Sequence, residues 1–181
     1  MTYLLSVDPG GNSGIALGYY DAITPYRLLE RWQVHGGADG FRAWWYEGHV
    51  EQVDEIVCEL FILDPGNQFT ADLTPKLIEG AIPVLLDWYE HRFGRRIPVT
   101  WQPRTDKAAL TGYPKEAKTK AQRQRVRFDF LDRFGLFKPG TENDDSNDAI
   151  THALVYLKRR LHMPSILAMW PPRTATLKLA A

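Results

Sequence analysis

The sequence is poor in the residues that brace a protein covalently or anchor it in a membrane. Cys58 is the single cysteine, so neither an intramolecular disulfide nor a zinc site built on cysteines is possible. No apolar run is long enough to cross a bilayer, and no signal peptide, internal repeat or low-complexity segment is recognisable. We therefore expect a cytoplasmic protein that has no membrane partner.

The chain also has no net charge, but its basic and acidic residues are unevenly distributed. Lysine plus arginine and aspartate plus glutamate number 22 each among the 181 residues. Residues 92–127 nevertheless hold 11 basic and two acidic side chains, whereas residues 1–91 hold four basic and 14 acidic ones. A net charge of +9 within 36 residues of a neutral chain indicates a polyanionic partner.

Apolar runs and turn signals predict one α/β domain over residues 1–162 and a C-terminal tail, 163–181, that is surface-packed or mobile. Hydrophobic residues make up 44% of the chain, enough for one ordinary core. The element order predicts a mixed five-stranded sheet with a hairpin at one side and helices on both faces. The predicted strands form the hairpin 3–17 and the segments 26–34, 54–63 and 97–101, and the predicted helices span 38–53, 74–93, 119–134 and 144–161.

Acidic side chains occur where these elements can bring them together. Asp8 ends the first strand before a glycine turn, and Glu59 lies in the middle of the apolar fourth strand. Asp145 and Asp148 are three residues apart on the last helix, and are therefore neighbours on one face. Carboxylates from adjacent parallel strands and a helix would form an oxygen-rich site for one or two Mg²⁺ or Mn²⁺ ions. Such a site hydrolyses phosphodiesters without a serine or cysteine nucleophile.

Each of these side chains also has an ordinary structural interpretation to be weighed. An acid before a glycine turn often bonds its own backbone, as Asp8 would, and an acid in the first turn of a helix often serves the dipole, as Asp145 would. Glu59 has no such explanation, because a carboxylate in an apolar strand needs either a cationic partner or an exposed strand end. Asp148 lies past the first turn. His152, four residues further on the same stripe, is either a polar neighbour of the core or a catalytic group.

Together these residues resemble the RuvC-type Holliday junction resolvases of the RNase H-like superfamily. The resemblance rests on Ser6-Val7-Asp8-Pro9-Gly10 followed by a Gly-Ile-Ala strand, on the strand-borne Glu59, and on the helix motif Asp145-Ser146-Asn147-Asp148-Ala149. It covers about residues 3–160. It implies an RNase H-like fold and a homodimer that cuts four-way DNA junctions by metal-dependent hydrolysis. The implied ligands of two Mg²⁺ or Mn²⁺ ions per site are Asp8, Glu59, Asp145 and Asp148.

The resemblance also implies lysines that contact the DNA backbone. Lys107, at the end of Pro103-Arg104-Thr105-Asp106-Lys107, corresponds to a family lysine near the active site and is expected to contact the scissile phosphate. A second family lysine corresponds to Lys118 or Lys120, and the residues give no basis for choosing. With Arg104 and Arg123 they form a basic stretch that predicts salt-dependent recognition of backbone shape.

An apolar residue that wedges into the junction is a further implied feature. Phe61, Ile62 and Phe69 are the candidates, because an exposed aromatic or apolar side chain after the fourth strand can stack on an unpaired base. The loop 63–71, which follows the predicted fourth strand, carries Asp64-Pro65-Gly66 as an insertion relative to the pattern that the resemblance implies. Phe61 also fits a role in completing the strand, and Phe69 a role in stapling the next helix.

Three other functions fit parts of the sequence. The first is a less selective endonuclease for flaps or forks, and the second is a non-catalytic module that binds branched DNA, against which the complete set of four carboxylates argues. The third is half of a phosphate-binding ATPase, since actin-like and sugar-kinase folds also begin with an acid, a glycine hairpin and a strand. The expectation of one domain disfavours this last function, because such enzymes close a second lobe around the nucleotide.

Overall fold

A mixed sheet is the centre of the fold in the computed structural model, which describes residues 1–62, 72–111, 116–140, 143–160, 166 and 168–169. Within these ranges five strands lie in the order β3-β2-β1-β4-β5. Neighbouring strands are antiparallel from β3 to β1 and parallel from β1 to β5. The strands are β1 (Thr2–Asp8), β2 (Asn12–Tyr20), β3 (Arg27–His35), β4 (Glu55–Leu60) and β5 (Val99–Pro103).

Helices cover both faces of this sheet, as the sequence predicts. Residues of α1 and α2 share one buried cluster with one face of the sheet, and residues of α3 and α4 share a second cluster with the other face. Each helix therefore has a buried side that faces a strand layer. The helices are α1 (Gly37–Trp44), α2 (Thr74–Phe93), α3 (Lys120–Arg133) and α4 (Asp144–Arg160), with a π-helical turn at Trp45–His49 and a 3-10 turn at Arg104–Ala109.

The alternation of side chains along β1 decides where its terminal acid points. Leu5 and Val7 belong to the cluster on the α1 and α2 side, and Leu4 belongs to the cluster on the α3 and α4 side. Because successive side chains point to opposite faces of a sheet, Asp8 lies on the same face as Leu4. The carboxylate at the end of β1 is therefore directed toward the side that α4 covers.

Two predicted elements are shorter than expected. The helix predicted over 38–53 gives way after Trp44 to the π-helical turn, in which Gly48 has a φ of 91° that a continuing helix does not allow. The strand predicted over 54–63 ends at Leu60, so Glu59 lies near the carboxyl end of β4 and not in its middle. This shift places Glu59 at the edge of the sheet where β1 also ends.

Most of the predicted tail, 163–181, lies outside the described residues. Its described members include Ile166 and Met169, whose side chains are buried in the cluster on the α3 and α4 side. None of the helices in the described ranges is both long and apolar enough to span a membrane.

A glycine in β2 lets α4 approach the sheet. Gly14 is the register partner of Asp8, and a Cβ at this position would lie 1.9 Å from the carbonyl oxygen of Asp145 and 2.6 Å from the nitrogen of Ser146. Both neighbours are backbone atoms, which cannot move aside as a side chain can. A hydrogen at position 14 is therefore required for the start of α4 to rest on β2.

We expect Gly14→Ala to lower the free energy of unfolding by about 1–3 kcal/mol, the usual range for overpacking. The clash would push the start of α4 away from β2. Gly11→Ala is the matched control in the same hairpin, because its Cβ would meet its nearest atom, the Asp72 carboxylate, at 3.9 Å. Urea unfolding followed by circular dichroism measures both variants, and equal stabilities would contradict the steric argument.

Candidate active site

The ends of two parallel strands bring the first two carboxylates together. Val7 of β1 is the register partner of Cys58 of β4, so Asp8 and Glu59 are the next residues of the two strands. Val57 lies in the cluster on the α3 and α4 side, and two-residue alternation puts Glu59 on that face. Glu59 is only 5% exposed. Both carboxylates therefore face α4 at one edge of the sheet.

Lys107 occupies the centre of the acidic cluster. Its Nζ lies 3.0 Å from Oδ1 of Asp8, 2.9 Å from Oε2 of Glu59 and 3.2 Å from Oδ2 of Asp148. The lysine comes from the 3-10 turn that follows β5, and it is buried. A single ammonium thus neutralises charge from β1, β4 and α4 at once, which supplies the cationic partner that the buried Glu59 requires.

The shared cation changes the acidity of every group around it. Burial opposes the charge of Lys107, but Asp8, Asp148 and Glu59 together raise its pKa above the ordinary value. Burial likewise opposes ionisation of Glu59, yet a hydrogen bond with His152 and the charge of Lys107 lower its pKa. For Asp8, burial dominates and raises the pKa, although Lys107 acts in the opposite direction. Burial thus opposes the negative charge of Asp8 more strongly than Lys107 favours it.

Arg127 provides the second cation of the site. Its Nη2 lies 2.8 Å from Oδ1 and 3.2 Å from Oδ2 of Asp148, and its Nε lies 3.2 Å from Oδ1. Burial opposes the charge of Asp148, but Lys107 and then Arg127 lower the pKa of that carboxyl group. Asp148 is therefore held ionised between a lysine and a guanidinium that donates two N–H groups.

His152 extends the cluster into the core. Its side chain has no exposed surface, and its Nε2 lies 2.7 Å from Oε2 of Glu59 and 4.0 Å from Oδ1 of Asp8. Gln102 of β5, the register partner of Glu59, contacts the other ring nitrogen, Nδ1, at 2.8 Å. Burial and the nearby charge of Lys107 lower the pKa of His152. The ring contacts the acidic site directly, and the choice between the two interpretations open from the sequence stays a prediction.

Asp145 lies apart from the contacts made by Lys107. Its half-buried carboxylate accepts a hydrogen bond from the side-chain amide of Gln33 on β3. Burial raises the pKa of Asp145, and the hydrogen bond with Gln33 partly offsets this effect. Asp145 is one helical turn before Asp148, as the sequence indicates, and its role as a metal ligand stays a prediction.

The donor atoms fit a divalent cation. One ligand atom from each of Asp8, Glu59 and His152 lies within 4.8 Å of the other two. Carboxylate oxygens are suitable ligands for Mg²⁺ and Mn²⁺. The ammonium of Lys107 already lies among the oxygens of Asp8 and Glu59, which shows that this arrangement stabilises positive charge at that point.

A basic cavity of about 550 Å³ opens beside the carboxylates. Lys107, Arg127 and Asp148 border both the acidic cluster and the cavity, so the two are continuous. The predicted DNA-contacting residues Arg104, Lys120 and Arg123 also line it. The structure thus gathers side chains from the turn after β5 and from the start of α3 around one space of positive charge.

The other predicted DNA contacts lie elsewhere or outside the described residues. Lys118 is exposed just before α3 and is not among the residues that line the basic cavity, which favours Lys120 as the second lysine. Phe61 is half-buried, and its backbone N–H donates to the carboxylate of Glu79. Ile62 is 69% exposed, so it is the more accessible wedge candidate of these two. Phe69 lies outside the described residues.

Three residues of the site were not singled out from the sequence. Arg127 belongs to the basic stretch, but it lies on the buried side of α3 with Val126 and Phe130, a spacing that could have identified it. Gln102 and Gln33 are uncharged, and only the strand register places them beside His152 and Asp145. No motif marks either glutamine.

No protein-family model and no curated protein matches the sequence. Solved structures do resemble the chain. The Thermus thermophilus RuvC in complex with Holliday junction substrate has a TM-score of 0.60 and 15% identity, with 91% of this chain and 98% of that chain covered. A fowlpox virus resolvase in complex with Holliday junction DNA has a TM-score of 0.56 and 15% identity, with coverage of 88% and 99%. The yeast mitochondrial Holliday junction resolvase has a TM-score of 0.56 and 11% identity, with coverage of 87% and 78%.

These comparisons identify both the general fold and the group of solved structures that share it. The five-stranded mixed sheet with helices on both faces is an RNase H-like α/β fold. Within that class, structures that match over nearly their whole length include RuvC and other Holliday junction resolvases. The RuvC-type fold predicted from the Asp8 motif, Glu59 and the Asp145 to Asp148 helix is therefore confirmed.

We expect Arg127→Met to lower the free energy of unfolding by about 3 kcal/mol, the lower end of the usual cost of breaking a buried ion pair, since Lys107 still faces Asp148. Arg125→Met is the matched control, because Arg125 is exposed on the same helix. Chemical denaturation at neutral pH measures both. If the two substitutions cost the same, the buried pair between Arg127 and Asp148 does not stabilise the fold.

Proposed function

We propose that the protein is a metal-dependent endonuclease that resolves four-way DNA junctions, with residues 1–162 as its nuclease domain. The observation that carries this proposal is the meeting of Asp8, Glu59 and Asp148 at one sheet edge, beside a cavity lined by basic side chains. The structures that share the fold include two solved with Holliday junction DNA. That likeness supports the choice of a branched substrate.

The proposed catalytic residues are Asp8, Glu59, Asp145, Asp148 and Lys107. The carboxylates would hold Mg²⁺ or Mn²⁺, with two ions per site, and such ions supply an activated water and neutralise charge on the scissile phosphate. Asp8 and Glu59 provide oxygens from rigid strand ends, and Arg127 keeps Asp148 oriented and ionised. Burial of these groups strengthens their electrostatic interactions relative to those in water.

Lys107 is suited to two states of the site. Without a divalent ion, its ammonium contacts all three carboxylates and offsets part of their negative charge. A divalent ion competes for the same oxygens, and Lys107 also borders the basic cavity. We infer that binding of metal and DNA moves the ammonium from the carboxylates to a phosphate oxygen, which is the role that the sequence resemblance implies.

The DNA backbone would enter through the basic cavity. Arg104, Lys120 and Arg123 come from two separate segments and converge on this space, as a binding site for successive phosphates requires. Lys118 and Phe61 are the further proposed DNA contacts, and neither lines the cavity. Guanidinium and ammonium groups bind phosphate in any sequence, so this contact recognises backbone shape and adds affinity that falls with salt.

A homodimer is part of the proposal, and α2 offers a surface for it. Leu77, Val84 and Trp88 are 62%, 68% and 40% exposed on a side of α2 that is separate from its buried residues. Val84 and Trp88 lie seven and eleven residues after Leu77, so the three side chains form one stripe along the helix. In an antiparallel pair with a second copy, Leu77 would face Trp88 of that copy. An apolar stripe that can pair with its own copy about a two-fold axis favours a second copy as its occupant.

Cleavage of a synthetic four-way junction tests the nuclease proposal. We expect nicking with Mg²⁺ or Mn²⁺ and none with chelator. Asp8→Asn should slow nicking by about a thousand-fold, since a catalytic metal contributes several kcal/mol to transition-state stabilisation. It should leave junction affinity near that of the unaltered protein. Asp54→Asn, at the opposite end of the sheet, is the matched control and should cleave normally.

The same assay separates the rival functions. Faster cleavage of flaps or three-way forks than of four-way junctions would favour the less selective endonuclease. Junction binding without metal-dependent nicking by the unaltered protein would instead favour the non-catalytic module. Full cleavage activity of Asp8→Asn would contradict the proposed active site.

Val84→Arg tests the proposed dimer face. The substitution puts a charge on the apolar stripe, and we expect it to convert a dimer into a monomer in size-exclusion chromatography with light scattering. Ile23→Arg is the control, because Ile23 is 87% exposed in the turn between β2 and β3. A Val84→Arg protein that remains dimeric would mean that α2 is not the interface.

A further inference from the structure

A buried chain of hydrogen bonds runs from β5 through α4 to β4. The side-chain nitrogen of Gln102 lies 2.8 Å from Nδ1 of His152, and Nε2 of the same ring lies 2.7 Å from Oε2 of Glu59. Gln102 is 4% exposed, Glu59 is 5% exposed and His152 is fully buried. Neighbouring protein groups, and not solvent, therefore determine which atom carries each proton in this series of hydrogen bonds.

A backbone carbonyl decides which way the Gln102 amide points. The amide nitrogen that contacts the His152 ring also lies 3.3 Å from the carbonyl oxygen of His152. A carbonyl oxygen only accepts hydrogen bonds, so the amide group must present its NH₂ there and not its own oxygen. The opposite orientation would place two acceptors against each other inside the core, with the cost of unmade hydrogen bonds.

The orientation of the amide in turn decides the tautomer of His152. An NH₂ group donates, so Nδ1 must accept and carries no proton. The ring proton of the neutral imidazole is then on Nε2, where it is donated to Glu59. Nε2 is the ring nitrogen that faces the carboxylates, and its lone pair is not available there.

We propose that His152 is a positioning residue for Glu59 and not a ligand of the metal, with Gln102 holding its ring in the donor tautomer. The proposal rests on the metal site of the proposed function, and it assigns a role to a residue within coordination distance of that site. Asp8, Glu59 and His152 are close enough to hold one ion, but the His152 nitrogen directed at the site carries a proton.

The reason that Glu59 needs such a partner follows from its surroundings. Oε2 of Glu59 accepts from both Lys107 and His152 in this structure. If Lys107 leaves for a phosphate, the imidazole N–H is the contact that still holds the carboxylate. Outer hydrogen bonds of this kind orient metal-binding groups, and their loss commonly costs 10–100-fold in metal affinity.

Nuclear magnetic resonance of protein labelled with ¹⁵N-histidine tests the tautomer directly. Long-range ¹H–¹⁵N correlations distinguish a protonated Nε2 from a protonated Nδ1, and loss of one signal set in His152→Gln assigns the residue among the five histidines. We expect the proton on Nε2 in metal-free protein. A proton on Nδ1 would overturn the proposal, and this measurement uses the unaltered chain.

Mn²⁺ binding, measured by electron paramagnetic resonance, distinguishes a His152 that donates a hydrogen bond to Glu59 from a His152 that binds the metal. His152→Gln places an amide N–H where the ring N–H lies and should retain Mn²⁺ affinity, whereas His152→Ala should weaken it about ten-fold or more. His91→Ala, on the exposed end of α2, is the control and should bind as the unaltered protein does. Equal losses in His152→Gln and His152→Ala would overturn the proposal, because an amide replaces a hydrogen-bond donor but not an imidazole ligand.

These readouts do not require DNA cleavage. A protein that binds Mn²⁺ with the expected pattern but fails to cut junctions would contradict the nuclease function and leave the role of His152 supported. If His152→Ala does not fold, the tautomer of His152 in the unaltered protein and the Mn²⁺ affinity of His152→Gln still test the proposal.

Discussion

Mutual repulsion among buried carboxylates is the constraint on which this structure depends. Asp8, Glu59 and Asp148 converge on one point, and like charges at such distances inside a protein destabilise the fold unless cations lie between them. Lys107 contacts all three groups, and Arg127 adds a second positive charge at Asp148. The site is therefore assembled around its counter-ions, which offset most of its negative charge before any metal or substrate is present.

The rest of the fold provides the precision that this balance requires. Parallel pairing of β1 with β4 and of β4 with β5 sets Asp8, Glu59 and Gln102 at one sheet edge. Direct contact of α4 with β2 at Gly14 then brings Asp148 to the same place. A rigid sheet edge and a closely packed helix suit a catalytic centre, because small displacements of reacting groups cost rate.

The sequence predicts the α/β class, the element order and the acidic positions, since each has a local signal. Periodicity marks the strands and helices, and Asp8 and Glu59 stand out against apolar runs. Lys107 was identified through a family resemblance and not through any local rule. Gln102, Gln33 and Arg127 were missed because their roles depend on strand register and helix rotation, which a single sequence does not encode locally. Gly14 was interpreted only as the first residue of the Gly-Ile-Ala strand, whereas its strict requirement comes from a helix more than a hundred residues away.

The position of α4 along the chain has a consequence for the protein during its synthesis. The residues that meet at the site come from β1, β4, the turn after β5, α3 and α4, and α4 is the last helix that the structure describes. A ribosome must release residues 144–160 before Asp148 and His152 can join the earlier strands. Domains that depend on such distant contacts complete folding late. A growing chain therefore holds Asp8 and Glu59 without the groups that complete the site, so the proposed cutting activity would begin only after α4 has left the ribosome.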